Sequence, residues 1–277
     1  MPKMKYFFFL FFLLCSLAKL ASAEEYTLSM LPHPASSDQL ESMLAPLAAK
    51  LSTETGNTIR PVVLSNPAQY EAELLRGNIV IGYENPAMYV NVSNIHEVLV
   101  TAVQGRNGDV SRGIIIKRPE STLSLSDLKG KEIMIVSKQS VGGFLSQKQT
   151  LQENGINVEW DCKLTEAPRN KEENVILSVS IGDVDAGFIN ESSLHKADQY
   201  ISPGSVTVIA KTAPLPNWAF SVNRSMPQEQ KNDLREILLQ LSKDSPALQA
   251  LRIRAFNVAE DKDYDVIRSL IEVNSNL

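Results

Sequence analysis

Strand-like and helix-like segments alternate regularly along the first third of the chain. The segment 26–30 alternates like a half-buried strand, and apolar residues at helical spacing follow in 40–51. A short β-branched segment at 59–64, a helical pattern at 68–75 and an apolar strand at 79–82 continue the alternation. This order predicts a mostly parallel sheet with helices on both faces. Ligands of such sheets bind at the carboxyl ends of the strands, so the loops that follow strands are the expected places for a site.

The middle of the chain repeats this scheme. Strand patterns occupy 113–117, 132–136 and 186–189, and helical patterns occupy 142–153 and 172–180. A second α/β lobe is therefore predicted.

No long linker rich in Pro, Gly or Ser separates these two parts. Short crossings between the lobes are therefore expected, near Gln104–Arg112 and Ser202–Val208. We predict that residues 24–105 and 206–277 form lobe 1 and that residues 106–205 form lobe 2. The length permits this division, because a chain of about 250 residues can bury most of the surface that it exposes when unfolded.

The N-terminal residues predict export from the cytoplasm. Two lysines precede the apolar run 6–14, and the residues 21–23 read Ala-Ser-Ala, a pattern that signal peptidases cleave. The apolar run is shorter than the ~20 residues that span a bilayer. Residues 1–23 are therefore predicted to be a cleaved signal peptide. Lipid attachment at Cys15 is the alternative, although Leu14 precedes it where that processing requires a small side chain.

The charge and cysteine content exclude several classes of protein. Residues 1–23 carry three lysines and no acid, so the net charge of −5 becomes −8 after their removal. An acidic chain without a basic cluster is not expected to bind nucleic acid. Cys162 is then the one remaining cysteine, so no internal disulfide can form.

Signatures of catalysis and of metal binding are absent from the sequence. The three histidines are far apart along the chain, and Cys162 has no cysteine partner for a zinc site. The sequence has neither a phosphate-loop lysine motif nor a Gly-x-Ser-x-Gly elbow. We expect no metal, no cofactor and no enzymatic activity.

Several short motifs follow one another along the chain. They are Ile81-Gly-Tyr83 with Pro86 and Tyr89, Leu125-Ser-Asp-Leu-Lys-Gly-Lys131, Gly142-Gly-Phe144, Gly182-Asp-Val-Asp-Ala-Gly187 and Asp261-Lys-Asp-Tyr-Asp265. Taken in this order, they resemble the phosphonate/phosphite-type periplasmic binding proteins of ABC importers. Each motif alone is weak, but their shared order along most of the chain is specific.

The resemblance implies a two-lobed α/β fold of type II, in which each lobe is a mixed, mostly parallel sheet flanked by helices. It also implies a periplasmic, monomeric protein that binds a small anionic or zwitterionic solute in the cleft between the lobes, with a phosphonate-like oxyanion as the usual ligand. The partner would be an ABC permease in the inner membrane. One alternative is a ligand sensor that feeds a membrane kinase or chemoreceptor, and a more remote one is a secreted α/β enzyme.

The resemblance also indicates where an oxyanion would bind. The family holds it where a strand ends and a helix begins, because the first N–H groups of a helix lack intrahelical acceptors. The family's Ser-Thr-Ser-Gly run is represented here by Ser140, Val141, Gly142 and Gly143, so two hydroxyl donors are missing. All four residues are predicted ligand contacts, with a plain helix-start turn as the alternative.

Two further contacts are expected after the strand at 186–189. Glu191 lies where the resembling binders carry an acidic group for the ligand's amine, and Asn190 precedes it. Alternatively, Glu191 only opens a helix, where the helix dipole favours an acid. The family's characteristic histidine is missing, because Lys171–Asn174 occupies its place.

The first lobe and the return crossing supply the remaining predicted contacts. Tyr83, Asn85 and Tyr89 surround a strand-to-helix turn, and His33 follows the first strand. Trp218 lies near the return crossing, where an indole could close over a ligand. The alternatives are core packing for Tyr89, a surface loop for His33 and packing under the hinge for Trp218.

Overall fold

The structure is a computed structural model that describes residues 23–32, 36–104, 108, 110–194 and 196–275. His33, a predicted ligand contact, lies outside the described residues, as does nearly all of the predicted signal peptide. Within the described part of the chain, no helix is long and apolar enough to cross a bilayer.

Strands and helices alternate over the first third of the chain, as predicted. The strands are β1 (Glu25–Met30), β2 (Thr58–Pro61), β3 (Ile81–Glu84), β4 (His96–Val103), β5 (Val110–Ser111), β6 (Gly113–Lys117), β7 (Glu132–Ile135), β8 (Lys163–Glu166), β9 (Ala186–Asn190), β10 (Thr207–Lys211), β11 (Leu215–Pro216), β12 (Ala219–Asn223) and β13 (Ala255–Val258). The helices are α1 (Ser37–Thr55), α2 (Pro67–Leu75), α3 (Pro86–Val92), α4 (Ser146–Glu153), α5 (Val158–Asp161), α6 (Glu172–Ile181), α7 (Glu191–Leu194), α8 (Gln228–Leu239), α9 (Pro246–Leu251) and α10 (Asp265–Ser275).

The first lobe is built on a six-stranded sheet with the order β13-β4-β12-β3-β1-β2. Strands β2, β1 and β3 are parallel, and β12 runs antiparallel between β3 and β4. Helix α1 begins at a capping box formed by Ser36 and Gln39 and ends at Gly56, which is left-handed. Its buried leucines pack with α8, α9 and one face of the sheet, which forms the core of this lobe.

The second lobe is built on a five-stranded sheet with the order β10-β6-β9-β7-β8. Strands β8, β7 and β9 are parallel, and β6 runs antiparallel between β9 and β10. Both sheets therefore combine three parallel strands with an antiparallel one beside them. Val175, Ile176 and Val179 of α6 are buried against this sheet.

Two crossings connect the lobes and pair with each other as a small ribbon. Leu215 pairs with Ser111 and Pro216 pairs with Val110, antiparallel. The first crossing lies within the predicted segment 104–112. The return crossing lies at 212–218, later than the predicted 202–208, because β10 is an edge strand of the second sheet.

The Asp261–Asp265 motif fastens the C-terminal helix to the first lobe. The hydroxyl of Tyr89 donates to Asp261 Oδ1 at 2.6 Å, and Arg268 pairs with Asp261 at 2.7 Å and with Asp265 at 2.6 Å. The rings of Tyr89 and Tyr264 lie 4.6 Å apart. This segment is therefore structural.

Candidate functional site

A cleft with a cavity of about 370 Å³ lies between the two sheets. Residues of both lobes and both crossings line it: Asn85, Pro86, Ala87, Gln104, Val110, Ser111, Gln139, Ser140, Val141, Gly142, Glu172, Asn190, Ser192, Leu215, Pro216, Asn217 and Trp218. A volume of this size holds a small solute. Six of the predicted contacts line this cleft: Asn85, Ser140, Val141, Gly142, Asn190 and Trp218.

The wall from the first lobe is the turn between β3 and α3. The side chain of Asn85 caps α3, because its Oδ1 accepts the N–H of Met88 at 2.9 Å. Pro86 follows at the first helical position, where its missing N–H costs nothing. The turn therefore has a fixed conformation and presents Asn85, Pro86 and Ala87 to the cleft.

Trp218 forms an aromatic wall where the return crossing meets β12. Its ring lies 5.1 Å from the ring of Tyr83, which in turn meets Phe256 edge-on at 6.3 Å. Tyr83 is only 3% exposed, and the side chain of Gln104 hydrogen-bonds its hydroxyl. The structure thus places Tyr83 behind Trp218 and Gln104, rather than in the cleft lining as predicted.

The wall from the second lobe is the turn that precedes α4. Ser140 is its N-cap, with Oγ accepting the N–H of Gly143 at 3.1 Å, and residues Val141–Leu145 form a π-helical turn. Buried Gln147 fixes this turn, because its Nε2 donates to the carbonyl oxygens of Gly142 at 2.8 Å and Ile189 at 3.1 Å. The turn is therefore tied to the end of β9.

Gly143 and Gly142 have different roles in this turn. A Cβ on Gly143 would lie 2.4 Å from the side chain of Val136, so Gly143 packs inward and does not line the cleft as predicted. A Cβ on Gly142 would lie 2.8 Å from Asn190 Nδ2. The amide of Asn190 thus occupies the space that a side chain at position 142 would need.

Asn190 connects the turn to the start of α6. Its Oδ1 accepts the N–H of Ser192 at 2.9 Å, which orients Nδ2 toward Gly142. Its backbone N–H donates to Glu172 Oε1 at 3.1 Å. A single residue at the carboxyl end of β9 therefore joins two parts of the cleft lining.

Glu172 is a cleft residue that the sequence reasoning did not select. The hydroxyl of Ser193 donates to its Oε2, and burial raises its pKa to about 7. The N–H of Asn190 and the charge of Lys196 oppose this rise, whereas Glu173 adds to it. Glu172 belongs to the segment Lys171–Asn174, which replaces the family's histidine. This replacement is the one feature of the sequence that indicates a cleft residue at this place.

Two other predicted contacts lie outside the lining. Glu191 opens α7, is buried, and pairs with Lys211 Nζ at 2.6 Å. Tyr89 is fully buried, with its hydroxyl bound to Asp261 and accepting the N–H of Val98. Neither side chain is among the residues that line the cleft, and each is held by a structural partner.

The crossings contribute cleft residues that local sequence patterns do not mark. Asn217 is buried, and its Nδ2 donates to the carbonyl oxygen of Gly108 at 3.2 Å. Gln104 N–H donates to the same carbonyl at 2.9 Å. These residues meet because β5 and β11 pair, which brings together segments that are about a hundred residues apart.

Buried ionisable groups lie directly behind Asn85. The hydroxyl of Tyr70 donates to Glu84 Oε2 at 2.7 Å, and burial raises the pKa of Glu84 to about 7. Burial lowers the pKa of His96 to about 4, and Ser221 hydrogen-bonds its Nδ1 at 3.0 Å. This network is sealed from the cleft and supports the wall of the first lobe.

Comparison with known proteins gives a consistent result. The sequence profile of a family described as the periplasmic substrate-binding protein of phosphonate ABC transporters matches residues 30–264. The chain is 24% identical to the phosphate-import protein PhnD of Mycolicibacterium smegmatis, over 91% of this chain and 87% of that protein.

Two solved structures illustrate the similarity of fold. Protein XAC2383 of Xanthomonas citri, solved with a chloride ion, gives a TM-score of 0.72 at 19% identity, over 91% of this chain and 99% of that chain. PhnD1 of Prochlorococcus marinus, solved with methylphosphonate, gives 0.69 at 14% identity, over 92% of this chain and 99% of that one. The two-lobed fold predicted from the sequence is confirmed.

Proposed function

The chain belongs to the family of periplasmic substrate-binding proteins of phosphonate ABC transporters, and from this premise we propose that its interlobe cleft captures a small polar solute. The lining of the cleft carries the proposal, because both lobes and both crossings contribute to one cavity. A solute held there would bridge the lobes and stabilise their closed arrangement. The membrane permease with which this family works would then receive it unchanged.

We assign the lobes from the two sheets. Lobe 1 comprises residues 23–104 and 219–275, lobe 2 comprises residues 112–211, and the hinge lies in the ribbon of β5 and β11. Relative to the sequence prediction, lobe 2 shifts from 106–205 to 112–211, and the second segment of lobe 1 begins at 219 instead of 206.

Three features of the cleft favour a solute that carries oxygen acceptors. The turn offers the helix-start N–H groups of Val141 and Gly142, Asn190 Nδ2 lies beside it, and Trp218 supplies an apolar face. Asn190 Nδ2 supplies a donor where the family's hydroxyl is missing. A small anionic or zwitterionic solute of the phosphonate type suits these groups.

The mature protein is proposed to be a periplasmic monomer that begins at Glu24. Cleavage after Ala23 would leave every strand whole, since β1 begins at Glu25. Mass spectrometry of the exported protein tests the cleavage site, and light scattering tests the monomer.

Ligand binding can be tested by thermal shift on residues 24–277. The compounds are phosphate, phosphite, phosphonates, sulfonates, amino acids and small carboxylates. A ligand at a hundred times its Kd adds about 2.7 kcal/mol to the free energy of unfolding, which corresponds to a Tm rise of roughly 5–10 °C for a chain of this size.

The variant Trp218→Ala should abolish or strongly reduce the rise in Tm. The matched control is Trp160→Ala, because Trp160 is 87% exposed and does not line the cleft. A ligand that stabilises the wild type and Trp218→Ala equally would show that binding occurs elsewhere, and failure of the entire panel would count against solute capture.

A further inference from the structure

A second cavity adjoins the cleft beside helix α3. Its volume is about 390 Å³, and Ala87 and Gln139 line both cavities. Lobe 1 contributes Asn91 of α3 and Ile271 of α10, and lobe 2 contributes the loop before α4 together with residues of α4 and α5. We call this second cavity the outer groove. A ligand that extends from the cleft past Ala87 and Gln139 enters it.

The two cavities differ in charge. Among the described residues that line the cleft, Glu172 is the one ionisable side chain. The ionisable side chains that line the outer groove are Lys138, Lys148 and Glu159. Lys148 is buried and its Nζ pairs with Glu159 Oε2, so these two charges compensate each other. The remaining charge of the outer groove is therefore the positive charge of Lys138.

Lys138 has an anchored backbone and an available ammonium group. Its backbone N–H donates to Glu166 Oε1 at 2.7 Å, and Ser140 caps the turn that follows. Its side chain is exposed, and its ammonium group forms no hydrogen bond or ion pair with any residue that the structure describes. The three donors of this ammonium group are therefore available to a ligand.

The floor of the outer groove is apolar. Phe144 and Leu145 are almost fully buried, and they belong to one apolar cluster with Ile267 and Leu270 of α10. Ile271 is partly buried against the same cluster. A floor packed in this way gives an alkyl chain a firm surface, and a CH₂ group that is fully buried strengthens binding about four-fold.

We propose that the outer groove binds the distal part of an elongated solute, in which a short alkyl chain joins the head group in the cleft to a second anionic group that pairs with Lys138. The inference rests on the proposed function and narrows its class of ligand to compounds such as phosphonocarboxylates. Lys138 gives such a ligand the cation that the described lining of the cleft does not contain. The solute would contact both lobes in the cleft and again in the outer groove.

Matched pairs of compounds that differ only in the second anionic group test the proposal. Isothermal titration calorimetry on residues 24–277 would compare phosphonoacetate with ethylphosphonate, phosphonopropionate with propylphosphonate, and phosphonobutyrate with butylphosphonate. In each pair a methyl group replaces the carboxylate. At one chain length or more, the carboxylate should bind about 5- to 10-fold more tightly, between the effect of an exposed ion pair and that of a hydrogen bond to a charged group. Equal or weaker binding of the carboxylate at all three lengths overturns the proposal.

Variants of two lysines separate a direct contact from a general charge effect. Lys138→Gln should remove the preference for the carboxylate, and Lys138→Arg should keep it. The matched control is Lys163→Gln, because Lys163 is an exposed lysine of the same lobe that lines neither cavity. A preference that survives in Lys138→Gln, or that disappears equally in Lys163→Gln, overturns the assignment to Lys138.

Filling the outer groove tests where the alkyl chain lies. Asn91 is exposed and lines the outer groove but not the cleft. Asn91→Phe should therefore weaken the binding of phosphonobutyrate more than that of methylphosphonate, which is too short to leave the cleft. The control is Asn232→Phe, at an exposed position of α8 that lines neither cavity. If Asn91→Phe affects the two compounds equally, the chain does not occupy the outer groove.

Failure of this inference differs from failure of the proposed function. If methylphosphonate or another small solute binds and no phosphonocarboxylate is preferred over its alkyl partner, the outer groove is not a ligand site. Solute capture itself fails only if the wider thermal-shift panel also yields no ligand.

Discussion

Gly82 lies at the centre of a crowded polar row, so the variant Gly82→Ala tests how tightly the wall of the first lobe is packed. Ser29 of β1 and Ser221 of β12 are its register partners. A Cβ at Gly82 would lie 2.4 Å from Glu84 Oε2, 3.0 Å from the Tyr70 hydroxyl and 3.1 Å from Ser221 Oγ. All three neighbours are fully buried, so none can retreat into solvent.

The expected loss of stability follows from these contacts. Overpacking of a core costs about 1–3 kcal/mol. Displacing Glu84 would also break its 2.7 Å hydrogen bond from Tyr70, and a buried group that loses its partner costs about 1–3 kcal/mol more. We expect Gly82→Ala to lower the free energy of unfolding by about 2–6 kcal/mol, which corresponds to a fall in Tm of roughly 4–24 °C.

Thermal and urea unfolding of residues 24–277, followed by circular dichroism, would measure the change. The matched control is Ser29→Ala, since the Ser29 hydroxyl is buried without a hydrogen-bond partner among the described residues. Its removal should leave the stability unchanged or raise it. A Gly82→Ala protein within about 1 kcal/mol of the wild type would refute the reasoning, because it would mean that Glu84 and Tyr70 move aside at little cost.

Two further predictions concern the charge of this network and the turn before α4. The pKa of Glu84 is about 7 in the folded protein, against 4.5 for an ordinary glutamate. The folded state therefore holds the proton of Glu84 more tightly than the unfolded state, and the free energy of unfolding is highest below about pH 4.5. It falls by about 3 kcal/mol as the pH rises from 4.5 through 7. Glu84→Gln should flatten the dependence of urea midpoints on pH between 4.5 and 8, and an unchanged slope would show that Glu84 is not its source. Gly142→Ser should weaken solute binding about 10- to 150-fold by displacing Asn190 Nδ2. In an Asn190→Ala background the same change should reduce the affinity little further. Calorimetry on the two single variants and the double variant measures this, and additive losses of affinity would contradict it.

Local patterns predict many of the strands and helices of the two sheets, although not β4, β8 or β13. The period of apolar residues depends on neighbours in the chain, so strands such as β1 and β6 and helices such as α1 were predicted close to their observed bounds. The return crossing was placed too early, because β10 is an edge strand of partly buried residues and its membership of the second sheet depends on its pairing with β6.

Part of the candidate site was also predictable from local patterns. The carboxyl ends of parallel strands meet at one edge of a sheet, where ligands bind. Local sequence patterns mark strand ends and helix starts, so they predict cleft positions for Asn85, Ser140, Gly142 and Asn190. The aromatic residue Trp218 was recognised by its position at the return crossing.

The sequence by itself determined the alternation of strands and helices, the division into two lobes, the family and the turn that faces the cleft. Only the tertiary structure decided which side chains reach the cavity. Asn190 and Ser193 hold the carboxyl group of Glu172 in the lining, whereas Glu191 pairs with Lys211 and Tyr89 with Asp261 outside it. Their partners are distant in the chain, so no local pattern encodes the direction in which each side chain points.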